Sequence, residues 1–177
     1  KKGLLFFCGL LHDIGKPDTL MVSEDGYLHF YNHAKVGAEL AWETAKKLQL
    51  SNAESEWIRK VVQHHMDLLP LLNSDRKPIR KEVFRFYKKT GETGLAIAIL
   101  ALAGTLGTYN QTLSQEKWEQ ALNVCKGLFS AWWEDQESII YPKLLLNGND
   151  LQHRFGLHPG KEIGFLLERL EEAQAIG

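Results

Sequence analysis

From Thr93 to Thr108 the chain reads Thr-Gly-Leu-Ala-Ile-Ala-Ile-Leu-Ala-Leu-Ala-Gly-Thr-Leu-Gly-Thr, without a charge and apolar nearly all round a helical projection. A helix of that kind has no polar face for water, so other elements must surround it. Its longest unbroken apolar run, residues 95–103, falls well short of the roughly 20 residues that cross a bilayer. It is therefore expected at the centre of a soluble helical bundle, with no membrane segment elsewhere.

Helical periodicity and its punctuation extend this to an all-α chain. Gly15, as a C-cap, and Pro17 close a first helix ending at His12-Asp13-Ile14. Residues 18–32 read as irregular, with an Asp25-Gly26 turn and a short extended stretch over 27–31. A helix is expected from His33 to about Leu48. Ser51 and Glu54 form a capping box opening the next, which runs to His65 before Pro70. Pro78 suits the first turn of a helix over 79–89, closed by Thr90-Gly91, and Ser114 opens a long helix reaching Trp132-Trp133. After Pro142 come a Gly-Asn-Asp turn, a short helix ending at Gly156, and a final helix opened by Pro159-Gly160 and running to Ala175.

With 177 residues, 44% hydrophobic and 24% charged, the chain can bury a sizeable core and is not disordered. A net charge of −1 excludes a global positive field, so any nucleic-acid contact has to be a local patch. Cys8 and Cys125 sit in apolar helical runs and read as buried reduced thiols, which with the lack of a signal peptide places the protein in the cytoplasm. The abrupt start at Lys1-Lys2-Gly3, without cap or leader, reads as a cut from a longer polypeptide.

The sharpest chemical signal is Leu10-Leu11-His12-Asp13-Ile14-Gly15-Lys16-Pro17. A carboxylate at the C-terminal end of an apolar helix faces the negative end of the helix dipole and loses solvation, so it requires a cation. His12 can ligate the same ion, and Lys16 can supply part of the charge. His33 heads a stripe of Val36, Leu40 and Leu48, and His65 continues Ile58, Val61 and Val62, so both face the core; His64 lies one residue round as a neighbour or second ligand. Singly, each histidine reads as a satisfied structural residue. Together, mixed nitrogen and oxygen donors suit a divalent ion, Mn, Fe, Co, Ni or Zn ahead of Ca, with Mg also admitted.

His12-Asp13 in this context resembles the signature of the HD superfamily of metal-dependent phosphohydrolases. The succession of residues 29–38, 48–52, 61–66, 144–151 and 156–164, ending at Ala173-Gln174, resembles the C-terminal half of bacterial tRNA nucleotidyltransferases of the CCA-adding and poly(A) polymerase family. The resemblance implies an HD-like helical bundle over residues 1–140 and a small helical tail subdomain over 141–177. It implies metal ligation by His12, Asp13, His33 and His65 with Asp13 and Lys16 as catalytic residues, and tRNA or a nucleotide phosphate ester as partner. It also implies an N-terminal nucleotidyltransferase head, without which nucleotides are not added. Two departures stand out: a further histidine of the family pattern would precede Lys1, and Gly104 stands where the last aspartate is expected. A shell short of a charged ligand should bind its ion more weakly.

Lys77, Lys81, Arg85 and Lys88 share a helix face with Phe84 among them, a surface able to track a phosphate backbone and stack a base. Lys161, at the start of the final helix, is a further phosphate candidate. Trp132-Trp133 reads as core and interface filler. Two functional readings follow: the HD and tail region of a tRNA nucleotidyltransferase-like protein with a phosphomonoesterase or cyclic phosphodiesterase site, or a catalytically silent helical RNA-binding or packing module.

Overall fold

The computed structural model describes residues 2–74 and 76–177; Lys1, where the uncapped start was read, lies outside them. The described residues form α1 (Lys2–Leu11), β1 (Leu20–Val22), β2 (Leu28–Phe30), α2 (His33–Lys47), α3 (Asn52–His64), α4 (Leu69–Leu72), α5 (Arg80–Thr90), α6 (Thr93–Tyr109), α7 (Gln115–Trp133), α8 (Gly148–Phe155) and α9 (Lys161–Ile176). The fold is all-α apart from one hairpin, β1 against β2 with Met21 opposite His29. That hairpin corrects the expectation of irregular chain: the extended stretch seen in the sequence has a partner strand in residues 20–22.

Local signals positioned most helix ends. The Ser51–Glu54 capping box is made in both directions, Glu54 N–H donating to Ser51 Oγ (3.2 Å) and Ser51 N–H to Glu54 Oε2 (2.9 Å). Gly91 and Gly156 end their helices at positive φ, 54° and 65°. Pro78 lies just before α5, with Ile79 as its N-cap, and the Gly-Asn-Asp expected as a turn is the first turn of α8, capped by Asn147.

α2 and α3 pack closely because α2 presents Gly37, Ala38, Ala41 and Ala45, all buried, to Ile58, Val61 and Val62 of α3. The α2 stripe read from the sequence is therefore displaced: Val36 and Leu40 are half-buried and Leu48 is exposed. His33 still faces inward, because it falls one turn before Gly37 on the small-residue face.

α6 is central only in its first half. Thr93, Gly94, Ala96, Ile97 and Ala98 are buried, whereas Ala103, Gly104, Leu106, Gly107 and Thr108 are exposed. With the turn after it, residues Thr93–Thr112 are long and apolar enough by composition to cross a membrane (20 residues, with an 18-residue window of mean hydropathy 1.3), a longer stretch than the run 95–103 suggests. In this fold its first half is core, packed with α3, α5 and α7, and its second half lines a cavity.

α9 lies along α5, where Arg80 Nε donates to Ala175 O (2.9 Å) and Arg85 pairs with Glu172 (2.5 Å). Trp132 packs on Tyr87 (ring centroids 5.1 Å apart), while Trp133 is largely exposed and meets the Phe129 ring at 5.7 Å. Cys8 and Cys125 are free and buried, and burial pushes their thiols up to about 12 and about 11. Since the thiolate is the nucleophile, neither should react with a thiol reagent at pH 8 in the folded protein, and both should react once it is unfolded.

Candidate metal centre

α1 ends at Leu11, and residues 12–16 form a turn pressed against the start of α2. Gly15 makes this approach possible. A Cβ there would lie 2.3 Å from His33 O and 2.5 Å from Gly37 N, both backbone atoms. Gly15 is not among the residues of positive φ, so it is not the left-handed C-cap expected from the sequence. It is glycine because two backbones meet.

This contact carries Asp13 to the head of α2 and the end of α3. Asp13 Oδ1 lies 3.5 Å from His33 Nε2 and 3.7 Å from His65 Nε2, and the two imidazole nitrogens are 3.3 Å apart. Asp13 Oδ2 faces Lys16 Nζ at 2.6 Å and His12 Nε2 at 3.3 Å. The His12 and His65 rings meet edge-on with centroids 5.3 Å apart.

The proton positions follow from the backbone. Each imidazole has its Nδ1 beside the carbonyl three residues earlier: His12 on Gly9 O (2.8 Å), His33 on Phe30 O (2.8 Å), His65 on Val62 O (2.6 Å). A carbonyl only accepts, so each Nδ1 carries a proton and each ring presents its Nε2 toward Asp13. Burial, with His12 and His33 nearby, holds His65 below its ordinary value despite the Val62 hydrogen bond and the Asp13 carboxylate, so it stays neutral. Burial pushes Asp13 up, but the Lys16 hydrogen bond and the charges of His12, Lys16 and His65 outweigh it and hold the carboxyl below its usual range.

The Nε2 atoms of His33 and His65 come within 3.3 Å of each other beside a carboxylate, an arrangement of donor atoms that a cation between them would hold together. Bonds of about 2.0–2.2 Å from a first-row ion to nitrogen and oxygen put neighbouring donors roughly 3–3.5 Å apart, close to the 3.3, 3.5 and 3.7 Å of this set. The donor chemistry therefore fits a borderline divalent ion of the Mn-to-Zn series, with Asp13, His33 and His65 as the converging group and His12 at its edge.

The other residues singled out in the sequence lie elsewhere. His64 lies outside the converging group of Asp13, His33 and His65: its Nδ1 is 3.0 Å from Asp67 Oδ2, and that hydrogen bond, against burial, holds Asp67 low. In the basic stripe it is the aromatic residue whose placement is corrected. Phe84 is 4% exposed and buried, because α5 is covered on two sides by the core and α9, so it has no face for a base. Arg85 pairs with Glu172 and Lys88 with Glu171 of α9, Lys81 lies near Glu172, and Lys77 is exposed before α5. Lys161 is exposed at the first residue of α9. Phe84→Ala should therefore act on folding, costing about 3–5 kcal/mol by denaturant titration as for a core phenylalanine; a change under 1 kcal/mol would restore Phe84 to the surface.

The centre opens into a cavity of ≈ 380 Å³ whose walls include Leu69, Leu100, Gly104, Thr105, Tyr109 and Lys117. Gly104 meets nothing within 4 Å at its Cβ position, so the place of the expected carboxylate is open space in the cavity wall. Tyr109 and Lys117 had no signal in the sequence: they come from two helices and meet only across the α6–α7 turn.

Residues 1–103 match the family model described as HD domain. The chain is 31% identical over 169 residues to the CC-adding tRNA nucleotidyltransferase of Thermus thermophilus, covering 95% of this chain and 35% of that protein. It is 30% identical over 185 residues to the A-adding tRNA nucleotidyltransferase of Deinococcus radiodurans, covering 98% of this chain and 38% of that protein. The chain thus spans a little over a third of the length of these relatives.

Proposed function

Since this chain belongs to the HD-domain family, we propose that it is the HD and tail region of a tRNA nucleotidyltransferase-like RNA-processing protein, carrying a divalent-metal phosphohydrolase site. The observation that supports the site most is the common orientation of its imidazoles, three Nδ1 atoms on backbone carbonyls and three Nε2 atoms turned to one carboxylate. Asp13, His33 and His65 would hold the ion, with His12 beside them. Once bound, such an ion polarises a phosphoryl oxygen and lowers the pKa of water in the site. Asp13 would orient that water, Lys16, held over the Phe30 ring beside Asp13, would pair with a phosphate oxygen, and the apolar walls from Leu69 and Leu100 would keep other water out. Hydrolysis adds the water oxygen to phosphorus, breaks the ester P–O bond and leaves the water's proton on the departing oxygen. The substrate is a phosphomonoester or cyclic phosphodiester of a nucleotide, and the partner of the longer protein is tRNA, as the names of the relatives suggest.

A second reading, a silent packing or RNA-holding module, is favoured by one feature: Lys16 already neutralises Asp13, and Gly104 offers no side chain. Hydrolysis of p-nitrophenyl phosphate and of a 2′,3′-cyclic nucleotide with Mn²⁺ or Ni²⁺ separates the two. Turnover lost in Asp13→Asn supports the first reading, and no turnover in the intact chain under saturating metal supports the second. Gly104→Asp fills the open wall with a carboxylate and should tighten Mn²⁺ binding by about tenfold or more; an unchanged dissociation constant would mean that residue 104 does not face the ion.

A further inference from the structure

The cavity is several times larger than a phosphate group requires and lies in the range of small-ligand pockets, ≈ 380 Å³. Its α6 wall runs from Leu100 through Gly104 and Thr105 to Tyr109, about 13 Å of axis at ~1.5 Å per residue. Gly9, whose carbonyl holds His12, lies 3.9 Å from Leu100 at its Cβ position, so the metal centre occupies the Leu100 end and Tyr109 marks the other.

At that far end stands a second cation. Lys117 Nζ is 2.6 Å from the Tyr109 hydroxyl and 4.0 Å from the centre of its ring. Because the ammonium donates to the phenol oxygen, the phenol proton is left free to donate in turn. Asp13 is the one carboxylate among the described lining residues, and Lys16 neutralises it. Lys117 forms no ion pair among the described residues, so it gives the cavity a positive charge at the end remote from the ion.

We infer that Lys117 and Tyr109 form a second anion-binding position, and that the cavity takes a small ligand with an anionic group at each end. One group, a phosphate, lies at Asp13, His33 and His65, and the other lies at Lys117, with the apolar wall between them. This rests on the phosphate reading of the metal end. Lys117 and Tyr109 thereby select ligands by the spacing of their charges.

The test is calorimetric binding to the Mn²⁺-loaded chain of four probes: hexyl phosphate, hexane-1,6-diol bisphosphate, 6-(phosphonooxy)hexanoate and ethane-1,2-diol bisphosphate. The six-carbon bisphosphate should bind about tenfold tighter than hexyl phosphate, the gain of one charge-assisted contact, and the two-carbon bisphosphate should show no gain. The carboxylate probe tells whether the second position takes any anion or phosphate alone. Lys117→Met should erase the gain while leaving hexyl phosphate unchanged, and Lys117→Arg should keep it. Equal binding of hexyl phosphate and its six-carbon bisphosphate, or a gain that survives Lys117→Met, overturns the inference and leaves the metal end untouched. Failure of every probe to bind overturns the phosphate reading and the inference with it.

Discussion

Asp13→Ala and His65→Ala are each expected to abolish binding of Mn²⁺ or Ni²⁺, a loss of at least about 100-fold, since even groups that only orient a ligand cost 10–100-fold. In the intact chain an ion at 100 times its dissociation constant adds about 2.7 kcal/mol to stability. Its addition should therefore raise the unfolding midpoint of the wild type and leave both variants unmoved. Elemental analysis of the purified protein checks the same point, and His12→Ala, at the edge of the converging group, should lose less than either. Acidification works in the same direction, because protons compete with the ion for its ligand atoms and affinity falls as the pH drops. Equal thermal shifts in wild type and Asp13→Ala would remove the metal centre from this account.

Gly15→Ala should be the most damaging single methyl in the chain. The added carbon would meet the His33 carbonyl at 2.3 Å, Gly37 N at 2.5 Å and Gly37 Cα at 3.0 Å. All three are backbone of α2, so no side chain can swing aside. Ordinary overpacking costs about 1–3 kcal/mol and occasionally more, and a rigid clash of this kind belongs at or above the top of that range. For a chain of this size that lowers the melting temperature by roughly 6–12 °C. His33 hangs from the same carbonyl turn, so metal affinity should fall together with stability. Gly104→Ala is the control: nothing lies within 4 Å of the new carbon, and the melting temperature should barely change. A Gly15→Ala protein as stable as wild type would mean that the turn and α2 do not touch as described.

The HD signature and the two core-facing histidines were legible because their signals are short-range. Ile58, Val61, Val62 and His65 share one face of α3 by helical spacing alone, and all are buried. The placement of His33 on the inner face was also right, yet through the wrong neighbours: Gly37, Ala41 and Ala45 make that face, not Val36, Leu40 and Leu48. A run of small residues carries little hydrophobic signal and becomes a contact surface only when a partner helix comes close enough to use it. α5 failed in the opposite sense, since its amphipathic pattern shows one buried face and α9, about 85 residues later in the chain, covers another, as the pair Arg85–Glu172 shows.

By itself, then, the sequence determined where helices start and stop and which residue types carry the chemistry, because caps, turns and ion-attracting helix ends depend on partners within about four positions. Only the tertiary structure decided why residue 15 has to be glycine, which half of α6 is core, that α9 pairs with Arg85 and Lys88, and that Lys117 faces into the cavity of the metal centre. Each of these depends on two segments distant along the chain sharing one volume, and the excluded volume of a neighbour leaves no periodic mark on the residues that must accommodate it.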